Sequence, residues 1–432
     1  MFTTAEWIEK IESGHFDDAF AALYCAEEAG VAKQRARYVD AIKAFAELYG
    51  SARQVEVYSA PGRTEIGGNH TDHNNGVVMA AAVNLDIIAV ISRNEEKIIR
   101  VKSKGFAEAD VIDARDLAVH AKEQGRSASL IRGVAARIQQ LGGTVGGFDA
   151  YTTSDVLRGS GLSSSAAFEV VIGAVLNGEY NDFRFTPVEI AQISQYAENV
   201  YFSKPSGLMD QTASSVGSAI TIDFKDPQHP VVEEVAFDLS SYGLSLCITD
   251  TKGSHADLTD DYAAIRSEME AVAAFFGKKV LREVDETEFF ASIASVRAKT
   301  GDRAVLRAIH FFADCRRAQA LRDAVRAGDI ARFEKLIIEG GHSSFEYNQN
   351  AYSIKHPAEQ GVALGVALSQ HVLGDSGAWR LQGGGFAGTI QAFVPQAKLP
   401  QYIRTMEQAF GAGSCYVLSV RNYGAVKVQE KM

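Results

Sequence analysis

Apolar residues near the N-terminus recur at helical spacing, with Trp7, Ile8 and Ile11 followed by Phe16, Phe20 and Leu23, and a second such stretch runs from Ala32 to Tyr49. Residues 1–49 are therefore expected to form a helical N-terminal appendage. From QVEVYSAPG onward the pattern turns to strand type, and GVVMAAAVNLDIIAVISRN is too rich in branched apolar residues for an exposed strand. It is predicted to cross a buried sheet. In SLIRGVAARIQQLGG, Leu130, Val134, Ile138 and Leu141 form one apolar stripe that ends at glycines, which predicts a helix. FDAYTTSDV reads as a strand, and GSGLSSSAAFEVVIGAVLNG as a turn opening directly into a helix. TPVE starts the next helix, with Thr186 as cap, Pro187 at the first helical position and Glu189 completing a capping box; its end is expected near Phe202. The character changes around FKDPQHPVVEE, after which GLSLCITD begins a new strand and long helices dominate to about residue 372. GGGFAGTIQAFV, KLPQYIRTMEQAFG and CYVLSVRN then predict strand, helix and strand. The resulting division is a helical extension over 1–49, one lobe over 50–235 and a second over 236–432, in an α+β chain without internal repeats.

Composition changes this picture little. The chain of 432 residues is long for one domain, and its 46% hydrophobic and 22% charged content is that of an ordinary globular protein. A formal charge of −11 without any basic run argues against a nucleic-acid partner. A small anionic ligand would need a local basic pocket. Cys25, Cys247, Cys315 and Cys415 are dispersed and read as reduced thiols. The first residues lack the basic and apolar regions of a secretory signal, and no apolar run approaches the length of a membrane span, so a cytoplasmic location is the default expectation, with no membrane and no obligate protein partner indicated.

Four segments concentrate chemistry. GRTEIGGNHTDHNNG, residues 62 to 76, carries seven Gly or Asn positions with Arg63, His70, Asp72 and His73, and hardly any apolar content. LRGSGLSSSAAFEV sets Gly159, Ser160, Gly161, Leu162, Ser163, Ser164, Ser165 and Ala166 at a predicted helix N-terminus, where unpaired amides and the positive end of the helix dipole favour an anion. It reads either as a phosphate cradle or as a serine-rich helix cap, and it is not a Walker A loop. In SGLMDQTASSVG, Asp210 follows a glycine turn among small and apolar neighbours, as a general base or as a cap, and Glu198 lies twelve residues earlier near Lys204. LQGGGFAG is a tight loop near a ligand or a plain turn.

Taken in order, APGRTEIGGNHTDHNNG, GSGLSSSA, SGLMDQ and GGGFAG resemble the galactokinases of the GHMP small-molecule kinase superfamily, over roughly residues 55 to 425. The resemblance implies a two-lobed GHMP kinase fold with the active site between the lobes. It implies an ATP-dependent sugar 1-kinase, with galactose and ATP giving α-galactose 1-phosphate and ADP. Asp210 would be the base facing the anomeric hydroxyl, with Arg63 stabilising it and the transferring phosphoryl. Ser165 and Glu198 match the family's magnesium (Mg2+) pair, and Gly159 to Ala166 would hold the ATP phosphates. Asn69, His70, Asp72, Gly207, Asp210 and Tyr262 match sugar contacts. Such a reaction needs alignment and charge neutralisation more than covalent help.

The chain also departs from the family pattern. Asn69 replaces the usual glutamate at a C6 contact, His73 a tyrosine and Ala387 a glycine; FEYN stands for R-D-D-Y, and Ser254 stands where an arginine often precedes the histidine matched by His255. A neutral amide at C6 would relax selectivity toward a C6-altered sugar such as galacturonate, the alternative substrate. A second alternative is a catalytically silent sugar sensor, disfavoured by the intact Ser163 to Ala166 run and by Asp210.

Overall fold

The computed structural model describes residues 1–156, 161–254 and 257–432. Gly159, Ser160 and His255 therefore lie outside the described residues. Two strands organise the larger sheet. Gln54–Gly67 and Val77–Asn94 pair antiparallel along most of their length, with register shifts between Pro61 and Arg63 and between Glu65 and Gly67. The irregularities fall where the chain turns from sheet building to the polar loop, and bulges of this kind re-aim side chains. The expected buried crossing holds, since nearly every residue of Val77–Asn94 is buried. Its second edge takes Gly147–Ser154 at one end and Ala219–Asp223 at the other. The helices Ser127–Gln140 and Ser164–Tyr180 cover one face through Ile131, Val134, Ile138, Val171 and Val175.

Residues 1–49 do not stand off as an appendage. Three helices, Thr4–Glu12, Asp17–Tyr24 and Glu28–Tyr49, pack Trp7, Phe20, Ile42 and Phe45 against Val55, Val57, Ile88 and Val90 of the sheet. Phe2–Thr3 adds a short strand beside Gln54 and Val55. The other face of an all-apolar strand must be covered, and these helices cover it. Beneath them Asp86 accepts from Tyr24 at 2.7 Å, from Arg37 at 2.6 Å and from Arg421 at 3.2 Å, so a buried carboxylate ties the first helices to the last residues of the chain.

The Thr186 capping box forms with Glu189, as expected. The helix it starts runs only to Tyr196, and Ala197–Phe202 continues as a wider π turn before Ser203 leaves it at φ +67°. The smaller sheet orders Ala378–Leu381, Thr389–Pro395, Leu244–Asp250 and Cys415–Leu418, all antiparallel. The helices Asp302–Arg326 and Ile330–Ser343 lie between the sheets, and the chain ends by pairing Val426 with Ser59. Among the described residues, no helix is long and apolar enough to cross a membrane.

Candidate active site

The turn before Ser164–Tyr180 and the start of Met209–Val216 meet at the bulged end of the long strand. Arg63 Nε donates to Asp210 Oδ1 over 2.7 Å, and Ser163 Oγ donates to Asp210 Oδ2. Arg63 also donates from its guanidinium to the Gly161 carbonyl and from its backbone amide to the Leu162 carbonyl at 3.1 Å. Ser163 sits in the left-handed region at φ 56° and makes no side-chain cap hydrogen bond, because its hydroxyl is turned to Asp210. The first-turn amides of a 17-residue helix are thus left without a serine cap, which favours the phosphate-cradle reading over the cap reading. Asp210 lies inside the first turn of its helix, whose cap position belongs to Leu208. Burial alone would raise its carboxyl, but Arg63 and the Ser163 hydroxyl more than offset that and hold it below the usual aspartate value.

Two residues beyond Ser163, Ser165 Oγ donates to Glu198 Oε1 at 3.4 Å, so two hard oxygen groups of the sort magnesium takes stand side by side. Lys204 Nζ donates to the same Oε1 at 2.7 Å, and Gln211 Nε2 to Oε2 at 2.9 Å. Glu169 completes the cluster, 3.3 Å from Gln211 Nε2, and burial beside the Glu198 charge drives its carboxyl well above the usual glutamate range. Oε1 of Glu169 and Oε1 of Gln211 have no protein partner, so the pocket keeps unspent oxygens close to Ser165 and Glu198. The donor set fits magnesium. Sequence reasoning passed over Glu169, although a lone carboxylate inside AAFEVV was the available signal.

The polar loop explains its own composition. His70 Nε2 faces the Gly384 carbonyl at 2.9 Å, so that nitrogen carries the proton. His70 Nδ1 then accepts from His73 Nε2 at 3.3 Å, and His73 Nδ1 from the Asn74 amide at 3.1 Å. Burial moves His70 down to about 4 and holds His73 well below the usual histidine value, so both rings are neutral. Thus His70 is in the loop as expected, but both its nitrogens are engaged inside the protein. Asp72 takes the His73 amide at 2.9 Å, and burial with the Asp210 charge pushes its carboxyl up to about 6. A Cβ on Gly207 would meet Asp72 Oδ2 at 1.7 Å, which accounts for the glycine. Tyr262 donates to the Gly385 carbonyl at 2.9 Å, and a Cβ on Gly385 would strike the Asn350 carbonyl at 2.1 Å. The triple glycine is a close approach of two backbones.

Asn69 requires a correction. The expected C6 contact is fully buried, and its amide is spent on the protein: Nδ2 donates to Glu65 at 2.9 Å and to the Gly383 carbonyl at 2.7 Å, and Oδ1 accepts from Asn350 at 2.9 Å. Its backbone amide donates to Asp314 and its carbonyl accepts from His310. An amide with both hydrogens committed offers no donor to a sugar hydroxyl. The argument for a C6-altered substrate loses its basis with this residue.

Two family models match the chain: the galactokinase galactose-binding signature over residues 43–93 and the GHMP kinase N-terminal domain over residues 129–218. The galactokinase of Streptomyces coelicolor is 31% identical over 373 residues, covering 85% of this chain and 92% of that protein. The galactokinase of Actinobacillus pleuropneumoniae serotype 5b is 33% identical over 364 residues, covering 83% and 90%. Among solved structures, Lactococcus lactis galactokinase complexed with galactose superposes with a TM-score of 0.77 over 89% of this chain and 98% of that one; at 22% identity this likeness carries the fold alone. The fold is that of the GHMP kinases, and on identities that span most of both chains the protein belongs to the galactokinase family.

Proposed function

We propose that this chain is an ATP-dependent galactokinase that moves the γ-phosphoryl group of ATP to the anomeric hydroxyl of galactose. The observation that carries the reading is the Arg63–Asp210–Ser163 constellation, an ionised carboxylate held in place at the mouth of an uncapped helix N-terminus. The sugar's O1 attacks Pγ as the bond from Pγ to the β-phosphate oxygen breaks, and ADP leaves. The O1 proton passes to Asp210. A carboxylate held below its ordinary value is a weak base, so that transfer comes late, once bonding to phosphorus has made the hydroxyl acidic. Arg63 keeps Asp210 charged and adds positive potential where negative charge develops on the phosphoryl oxygens. Gly161 to Ala166 supply backbone amides and hydroxyls to the nucleotide phosphates, and Asp72 and Tyr262 present oxygens to the sugar. Ser165 and Glu198 would hold a magnesium ion, which would neutralise phosphate charge.

Replacing Asp210 tests the assignment. Asp210→Asn keeps the shape and a hydrogen-bonding oxygen but removes the proton acceptor, so single-turnover phosphorylation of galactose should fall by roughly 10²–10⁴-fold while ATP affinity stays within about threefold. A near wild-type single-turnover rate would overturn the role given to Asp210. A wild-type protein that binds galactose but never phosphorylates it would point to the sensor.

A further inference from the structure

Glu198 already holds a cation of the protein's own. Its side chain is 3% exposed, whereas that of Lys204, bonded to Oε1 at 2.7 Å, is 57% exposed. Lys204 is thus tethered at its tip and otherwise open, on the turn that follows the left-handed Ser203 and leads to Gly207. The same oxygen receives Ser165. From Ser165 the chain runs back two residues to Ser163, which holds Asp210, so the ammonium stands at one end of a continuous row that ends at the proposed base. A buried carboxylate left without a positive partner is costly, which explains why a lysine is there before any metal arrives. An ammonium and a divalent ion competing for one carboxylate oxygen repel each other.

We propose that Lys204 is an exchangeable counter-ion: it neutralises Glu198 in the nucleotide-free protein, yields Oε1 to the metal that accompanies ATP, and places its ammonium on the nucleotide phosphates as a further catalytic residue. No bond is made or broken in the exchange. It rests on the reading of Ser165 and Glu198 as the metal pair. Four flexible carbons and a largely exposed stem give the ammonium room to move, and phosphate is a natural destination for a compact, strongly hydrated point charge.

The test compares wild type, Lys204→Met, Lys204→Arg and Glu198→Gln, each checked for folding by circular dichroism. Titration with a non-hydrolysable ATP analogue saturated with Mg2+ reads the lysine's contact with phosphate once the metal has taken Oε1; Lys204→Met should weaken binding about tenfold and Lys204→Arg should restore most of it, as for one charge-assisted hydrogen bond. Electron paramagnetic resonance of Mn2+ bound to the ADP complex reads the competition; Lys204→Met should tighten Mn2+ several-fold while its kcat for galactose falls about tenfold. A merely structural lysine would leave the affinity for the Mg2+-saturated analogue unmoved, or would lower kcat and Mn2+ affinity together, and either result overturns the exchange. Glu198→Gln separates the two readings. If it leaves Mn2+ affinity unchanged, the metal pair itself is wrong; if it weakens Mn2+ while Lys204→Met alters neither affinity, the exchange alone fails.

Discussion

Asn69 and Asp72 lie three residues apart in one loop, yet one is spent on several partners and the other accepts the His73 amide and keeps its second oxygen beside Gly207. The difference is the number of partners. Asn69 sits among Glu65, Gly383, Asn350, Asp314 and His310, so its amide fastens the signature loop to the glycine loop and to the helix Asp302–Arg326. Asn69→Asp keeps the volume but removes both donors, strands the Gly383 carbonyl and sets a second carboxylate against Glu65. At about 1–3 kcal/mol for each unsatisfied buried group, with repulsion added, urea unfolding should show a loss of at least about 3 kcal/mol. The ratio of kcat/KM for galactose over galacturonate should stay put in the folded fraction. A stable variant with a shifted ratio would return Asn69 to the sugar site. The glutamate usual at this position suggested a contact by analogy; nothing in the order of residues revealed that four other segments converge on this residue.

At the scale of elements, the capping box at Thr186, the apolar strand Val77–Asn94 and the helix Ser127–Gln140 were all readable from spacing, since each depends on neighbours within a few residues. The π turn was not. Ala197–Phe202 packs where Gly133 lets the two helices approach, a Cβ there meeting Ala197 at 2.7 Å, and that contact is set by a partner more than sixty residues away. The first three helices were legible as helices and misread as an appendage. Deleting residues 1–49 would uncover Val55, Val57, Ile88 and Val90. At roughly 1.5–3 kcal/mol per large apolar side chain, that is about 6–12 kcal/mol, comparable with the whole stability of a typical domain. The truncated protein should be insoluble or unfolded on expression, as read by soluble yield and thermal melting. A soluble, cooperatively folded product would show that the sheet face does not need this cover.

At the scale of the whole molecule, one junction between the two sheets is polar. Arg380 of the smaller sheet donates to Glu65 of the larger at 2.9 Å and to the Ile66 carbonyl at 2.7 Å, and both side chains are buried. Burial pushes the Glu65 carboxyl up to about 7 even so, outweighing Arg380 and Asn69. A carboxyl raised above its unfolded value of 4.5 contributes stability that is full below 4.5 and is lost as pH rises to about 7. Arg380→Met removes the cation and moves the upper end of that window higher. The variant should therefore lie closest to wild type below pH 4.5 and fall away through and beyond pH 7, reaching a deficit of about 3–5 kcal/mol. Thermal melts across that range check it; a deficit independent of pH would mean that Glu65 does not carry the charge at this junction.

Local order in the chain was enough to indicate the buried strand over 77–94, the helices over 127–140 and 164–180, and that four motifs follow one another as in galactokinases. Spacing, capping and turn chemistry act over a few residues, so a linear sequence contains them. Only the folded chain decided which polar groups those motifs leave unspent. His70 and Asn69 turned inward because backbone carbonyls of a glycine loop more than 300 residues away needed their hydrogens. Lys204, unremarked in sequence beyond its closeness to Glu198, came to share a carboxylate with Ser165 because a π turn and a left-handed serine aim it there. Hydrogen-bond capacity is small and fixed for each side chain, and tertiary packing determines who uses it.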